Sequence, residues 1–269
     1  MLIKQWSEAQ FPRHALADEE NASQPKILRH DISVPETVSA NLLIVVPQQL
    51  SVVVDSVEEK DPIGSLHFEY RPNAGDEASE SPASLNEAEY DEDEQLYAAM
   101  KQEQTKRVQS TVYACGPEKS VLVVVAPHVE DVLAQKSLAD TLGQLAQKCG
   151  RCIVLAPCSL GWGQLVCRLD LPGDFFTTVD PIRPPHYVSG LAAALVSELT
   201  QNSKADIALL ALNAEGHVGY EKVDADSIMA AAENFASYLV GKSSKANYIE
   251  RLSRNVRRIA SSVTSGMYL

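Results

Sequence analysis

No nucleotide-binding loop can be found in this sequence. It has neither a G-x-G-x-x-G nor a G-x-x-x-x-G-K-[ST] pattern. Those patterns let backbone N–H groups close around phosphates, so their absence argues against a dinucleotide enzyme and a P-loop ATPase. A G-x-S-x-G nucleophile elbow is missing too, which removes the usual serine-hydrolase signature. Long apolar runs are also lacking. A membrane span needs about 18 residues, whereas the longest candidates, Val121 to Ala126 and Ile207 to Leu212, are strand-sized. Positive charge is scarce: 23 Lys and Arg face 36 Asp and Glu, a net −13. A chain this acidic is a poor non-specific ligand for nucleic acid or for an anionic membrane.

The N-terminus, Met1-Leu-Ile-Lys-Gln-Trp6, turns acidic without an apolar core of signal-peptide length. The expected compartment is the cytosol, with the nucleus as an alternative. Five cysteines form no even framework, and in a reducing compartment they are expected as free thiols. Cys149 and Cys152 make a C-x-x-C, but no second C-x-x-C or histidine pair completes a zinc set. They read as small apolar residues at a helix end and a strand start. No metal and no cofactor is expected.

The chain is long enough, at 269 residues, to bury a full core. Leu42 to Val46, Gln49 to Val57, Ser65 to Tyr70, Gln109 to Cys115, Ser120 to Ala126, Cys152 to Ala156 and Ala205 to Leu212 read as strands. Another is expected near Gln164 to Leu169. Val121-Leu-Val-Val-Val125 is apolar on both faces, as suits a central strand covered by helices on each side. Helices are predicted over Val129 to Cys149, from Pro184-Pro185 to about Gln201, from Asp224 or Asp226 to Gly241, and from Ser243 or Ser244 onward. The second has a small-residue side of Gly190, Ala193, Ala194 and Ser197, where another element can approach closely. On the last, Tyr248, Leu252, Val256, Ile259 and Val263 form one stripe, with Arg251, Arg254 and Arg258 on another face.

These elements imply a single three-layer α/β/α domain with a mixed, largely buried sheet. Residues 1–40 read as an N-terminal arm, 41–72 and 108–241 as the core, 242–263 as a C-terminal helix and 264–269 as a projecting tail. Residues 73–107 read as an acidic insertion. Between Asn73 and Gln104 ten acidic residues face only Lys101, a net −9. With little apolar surface to offset ordering entropy, this segment is expected to be disordered. It is either a solvated loop or an acidic arm for a basic partner.

Chemistry-bearing residues are scattered. His128 follows the buried strand, with Glu130 and Asp131 beside it, so a general base could be drawn there. No nucleophile can be placed near it from sequence, and a strand-end loop histidine is the plainer reading. His186, His217 and Trp162 are equally uncommitted. No catalytic residue is assigned.

The last three residues, Met267, Tyr268 and Leu269, are more informative. They read hydrophobic, tyrosine, any residue. With Leu269 as the last residue, its free carboxylate completes a motif for terminal-carboxylate capture by a partner. With 9 tyrosines and 45% hydrophobic residues, such an ending arises by chance at about 1.5%. That frequency alone is only suggestive. Leu2, Ile3 and Trp6 are a second candidate contact, either with a partner or with the chain's own core.

Ser-Gly-Met-Tyr-Leu at the end resembles the hydrophobic-tyrosine-any (HbYX) tail of proteasome assembly chaperones. Met1 to Trp6, Pro184-Pro185-His-Tyr-Val-Ser-Gly190 and Asp226 to Gly241 resemble the first subunit of the heterodimeric chaperone on the α-ring of the proteasome core particle. The middle of the chain diverges. The resemblance implies a non-catalytic assembly chaperone that pairs with a second, related subunit. It also implies that Met267, Tyr268 and Leu269 enter a pocket between α-subunits, where the carboxylate meets a lysine. Rival readings are an α/β enzyme of hydrolase- or phosphorylase-like type, and a generic adaptor whose tail binds another groove. The ATPases that share this tail type are set apart by their P-loop.

Overall fold

The computed structural model describes residues 26–35, 39–71, 105–161, 163–171, 175–202, 205–217 and 220–265. Nine strands and five α-helices are seen among them. The strands are β1 (Lys26–Ser33), β2 (Leu42–Pro47), β3 (Lys60–Arg71), β4 (Lys106–Cys115), β5 (Val121–Ala126), β6 (Arg151–Cys158), β7 (Val166–Arg168), β8 (Asp206–Glu215) and β9 (Lys222–Val223). The helices are α1 (Ser51–Asp55), α2 (Val132–Cys149), α3 (Gly190–Asn202), α4 (Ala225–Leu239) and α5 (Lys245–Ser265).

The sheet order is β1-β3-β4-β5-β2-β6-β8-β7, with β9 added to the end of β8. Its centre, β5-β2-β6-β8, is parallel. One edge, β1-β3-β4, is antiparallel and joins β5 antiparallel. The mixed sheet between helical layers is the architecture that the alternation of apolar runs predicts.

Successive strand residues feed opposite cores, as the pleat requires. Leu43, Val45, Leu122, Val124, Cys152, Val154, Leu209 and Ala211 face α2 and α3. Leu42, Ile44, Val46, Val121, Val123, Ile153, Leu155, Leu210 and Leu212 face α1, α4 and α5. Both sets are buried. Leu138, Leu142, Leu145 and Cys149 are buried along α2 as the spacing predicts. Asp131 caps its start by accepting from the Ala134 N–H at 2.9 Å. Gly150 closes it at φ +76°, donating to the Ala146 carbonyl.

Three expectations need correction. Gln49 to Val57 is not a strand but a 3₁₀ turn (Gln48–Leu50) running into α1. Pro47 offers no N–H to carry a ladder further. Val52, Val53 and Val54 are all buried in one core, which an alternating strand cannot achieve. Tertiary packing outweighs the strand preference of β-branched residues. The orphan carbonyls of this short helix are taken up from outside: Val53 accepts from the Tyr248 hydroxyl at 3.1 Å and Val54 from Lys60 Nζ at 2.9 Å.

The helix expected from Pro184-Pro185 begins only at Gly190. Residues preceding a proline are pushed out of the α region, so Arg183 and Pro184 cannot open it. The C-terminal helix, expected at 242–263, runs from Lys245 to Ser265 and takes in Thr264 and Ser265 of the 264–269 tail. Gly266 alone separates it from Met267.

β3 and β4 form a hairpin whose connection is the acidic segment, and β4 starts at Lys106, inside the range assigned to that insertion. Gly64 lies on the outer side of this hairpin beside a register shift. A Cβ there would sit 2.0 Å from the Ser33 carbonyl oxygen. Gly64→Ala is expected to force β1 away from β3 and lower stability by about 1–3 kcal/mol. Thermal unfolding measures the loss. An unchanged midpoint would show that β1 is not held at this contact.

Candidate functional site

The sequence-predicted partner-binding residues, Met267, Tyr268 and Leu269, and the secondary candidates, Leu2, Ile3 and Trp6, lie outside the described residues. So do Trp162 and most of the acidic segment. What the fold does position is the helix in front of the tail. Tyr248, Leu252 and Val256 of α5 are buried against α1 and α4. Asn255 Nδ2 donates to Ser56 Oγ at 2.9 Å, and Arg251 pairs with Glu58. Burial and polar ties to α1 together fix the direction of a helix about 30 Å long. The end of that helix is one residue from Met267.

A second place of interest is the C-terminal end of the parallel strands, where ligand crevices open in α/β sheets. Here a small cavity of about 60 Å³ is lined by Pro47, Pro127, His128, Ser189, Gly190 and Glu221, among others. His128 reaches it from the end of β5, and its Nε2 is buried without a hydrogen-bond partner among the described residues. Its ring meets Tyr220 edge-on, with centroids 4.9 Å apart. The Tyr220 hydroxyl donates to Glu130 Oε1 at 3.0 Å, and Lys106 Nζ donates to the other oxygen. Lys106 first, then Tyr220, holds the Glu130 carboxyl below its usual range.

The trio His128, Glu130 and Asp131 therefore does not come together as a catalytic set. Asp131 serves as a helix cap and Glu130 as the acceptor of a lysine and a tyrosine. His186 Nδ1 contacts the Ser159 carbonyl at 2.9 Å. His217 is exposed in a turn whose carbonyl accepts from the Tyr220 N–H.

Beside this cluster runs an open groove of about 570 Å³. Its wall is the small-residue side of α3, Gly190, Ala193, Ala194 and Ser197, facing Val132 and Tyr220. Val132 is 75% exposed and Tyr220 68%, so an apolar strip with no bulky side chains on one wall faces outward. The small residues are visible in sequence as a helical face. Val132 and Tyr220 were not singled out. The signal for Val132 was its place directly after the Asp131 cap, off the buried stripe of α2.

The cysteines are free and buried. Desolvation pushes the Cys115 thiol up to about 12 and the Cys149 thiol up to about 11, and it raises Cys152 as well. Cys149 and Cys152 sit in the α2-side core. No group of three or more potential metal-ligating residues occurs among the described residues. Among those residues too, no helix is long and apolar enough to cross a membrane.

The model of a family described as POC1 chaperone matches residues 1–269. No curated protein matches in sequence. Among solved structures, the chain is similar to Pyrococcus furiosus PbaA, described as an archaeal homolog of proteasome-assembly chaperone. The identity is 13%, over 89% of this chain and 100% of that one, with a TM-score of 0.45. It is also similar to a protein of unknown function from Corynebacterium glutamicum, at 11% identity over 90% and 89% of the two chains, TM-score 0.49. A third is a Thermoplasma acidophilum protein of unknown function, at 8% identity over 87% and 91%, TM-score 0.46.

The raised thiol pKa values carry a sign. The neutral thiol is favoured in the folded state, so this contribution to stability is whole below the ordinary value of about 9 and is lost as pH climbs toward about 12. Folded protein is expected to resist thiol-labelling reagents at pH 8 and to destabilise and label together above pH 9. Rapid labelling of Cys149 or Cys152 at pH 8 without unfolding would contradict this burial.

Proposed function

The chain belongs to the POC1 chaperone family, and on that premise we propose that it is a non-catalytic chaperone for assembly of the proteasome core particle. It acts as one subunit of a heterodimer with a related α/β chain and docks on the α-ring through Met267, Tyr268 and Leu269. The observation that carries this reading is the family match over the whole chain, which includes both the Met1 to Trp6 opening and the hydrophobic-tyrosine-any ending. The placement of α5 supports it: a helix anchored by Tyr248, Leu252 and Val256 ends one residue before Met267 in the sequence.

In this mechanism Met267 fills an apolar pocket, contributing about 1.5–3 kcal/mol. Tyr268 packs flat and donates its hydroxyl. The Leu269 carboxylate pairs with a pocket lysine. Three residues bury little area, so the partner subunit's own tail and the body surface add avidity of about 10²–10⁴. The apolar strip along α3, with Val132 and Tyr220, is the proposed seat of the partner subunit, because small side chains let another element approach closely. Leu2, Ile3 and Trp6 are a proposed further contact with the ring. The compartment is the cytosol, with the nucleus as an alternative.

Removing one partner of a buried carboxylate–lysine pair costs about 2–5 kcal/mol. Deleting Leu269, or appending one alanine after it, is therefore expected to weaken binding to α-rings by roughly 30-fold or more. Surface plasmon resonance on recombinant α-rings would measure it. An extended tail that binds as tightly as the natural one would sink the docking reading.

A charge on the α3 strip is expected to break pairing while sparing the fold, since Ala193 lines the groove and is only half-buried. Ala193→Arg should elute without its partner on size exclusion yet keep its circular dichroism spectrum. An unchanged heterodimer would move the subunit interface elsewhere.

A further inference from the structure

Charge is unevenly distributed in this protein. The chain carries a net −13, yet α5 holds five basic residues against Glu250 alone, a net +4. Part of that charge lines a long open groove of about 890 Å³ between α4 and α5. Its floor is apolar, with Met229 and Ile249 partly buried. Its rim carries Lys242, Lys245, Arg254 and Arg257 against Glu233 and Glu250. Lys245 is matched by Glu233 at 3.1 Å and Arg254 by Glu250 at 2.8 Å. That accounts for both acids and leaves Lys242 and Arg257 without an ion pair among the described residues. The groove is therefore a positive surplus on the helix that leads directly to the tail.

We propose that this α4–α5 groove seats a carboxylate-rich protein surface bordering the pocket that receives the tail. The inference rests on the docking reading above and names the chemistry of the surface next to that pocket. Two observations single out this occupant. The groove rim carries four basic residues against two acidic ones, so it complements acid rather than base. It also lies on the helix that precedes the tail in sequence, with Arg254 and Arg257 13 and 10 residues before Met267. Rim charges of this kind mainly speed encounter and set orientation, and they are screened by salt.

The test uses the full-length chain binding to rings assembled from recombinant proteasome α-subunits, at low and at physiological salt. Lys242→Glu with Arg257→Glu is expected to weaken binding about tenfold at low salt and to flatten the salt dependence. Lys242→Arg with Arg257→Lys should bind as the natural protein does, which separates charge from shape. A protein lacking Leu269 should bind weakly but keep its salt dependence. Natural affinity and natural salt dependence in the charge-reversed protein would overturn the groove proposal while leaving the tail reading intact. Tighter binding by that protein would overturn it too, since it would mean that the chain's own acidic segment, 73–104, holds the groove. If deleting Leu269 changes nothing, the docking reading fails first and this inference with it.

Discussion

The rest of the molecule depends on one constraint: a sheet that must be dry on both faces. In the four central parallel strands nearly every residue is apolar and buried, whichever way it points. Helices must then cover both faces, with α2 and α3 on one side and α1, α4 and α5 on the other. Little polar chemistry can live in such a core. The five thiols are consistent with that, since burial keeps them protonated and makes them packing groups. Polar function is left to the strand ends, the helix faces and the segments beyond.

Those surfaces differ in character. The strand ends carry His128, Glu130, Tyr220 and Lys106, which hydrogen-bond or stack with one another. One outer surface, along α3, is built of small residues beside exposed Val132 and Tyr220. The other, between α4 and α5, is basic on an acidic chain.

Much of the architecture was legible because buried strands and amphipathic helices write their periods into the sequence. Val121 to Val125 and the Leu138-Leu142-Leu145 stripe are cases in point. The errors came where local pattern and tertiary demand part. Val52, Val53 and Val54 look like strand residues, but α5 and the sheet need all three on one side, so that stretch is wound into α1. Pro184-Pro185 looks like a helix start, but proline keeps its predecessors Arg183 and Pro184 out of a helix, and His186 and Tyr187 are tied back to Ser159 and Cys158 at the end of β6. Thr264 and Ser265 look like a linker, yet they extend α5 to within one residue of Met267. The grooves could not be read at all. Exposure of Val132 or the pairing of Arg254 with Glu250 depends on which helices become neighbours.

By itself, then, the sequence determined which segments must be buried, the α/β/α class, the exclusion of familiar nucleotide and nucleophile motifs, and the character of the tail. These are properties of local composition and spacing, which exist before the chain folds. Tertiary structure alone decided that α5 is gripped by α1 and α4, that the α3 strip opens beside Tyr220, and that Lys242 and Arg257 share a rim. Each of these joins residues far apart in the chain, and only packing against a common sheet sets their distances.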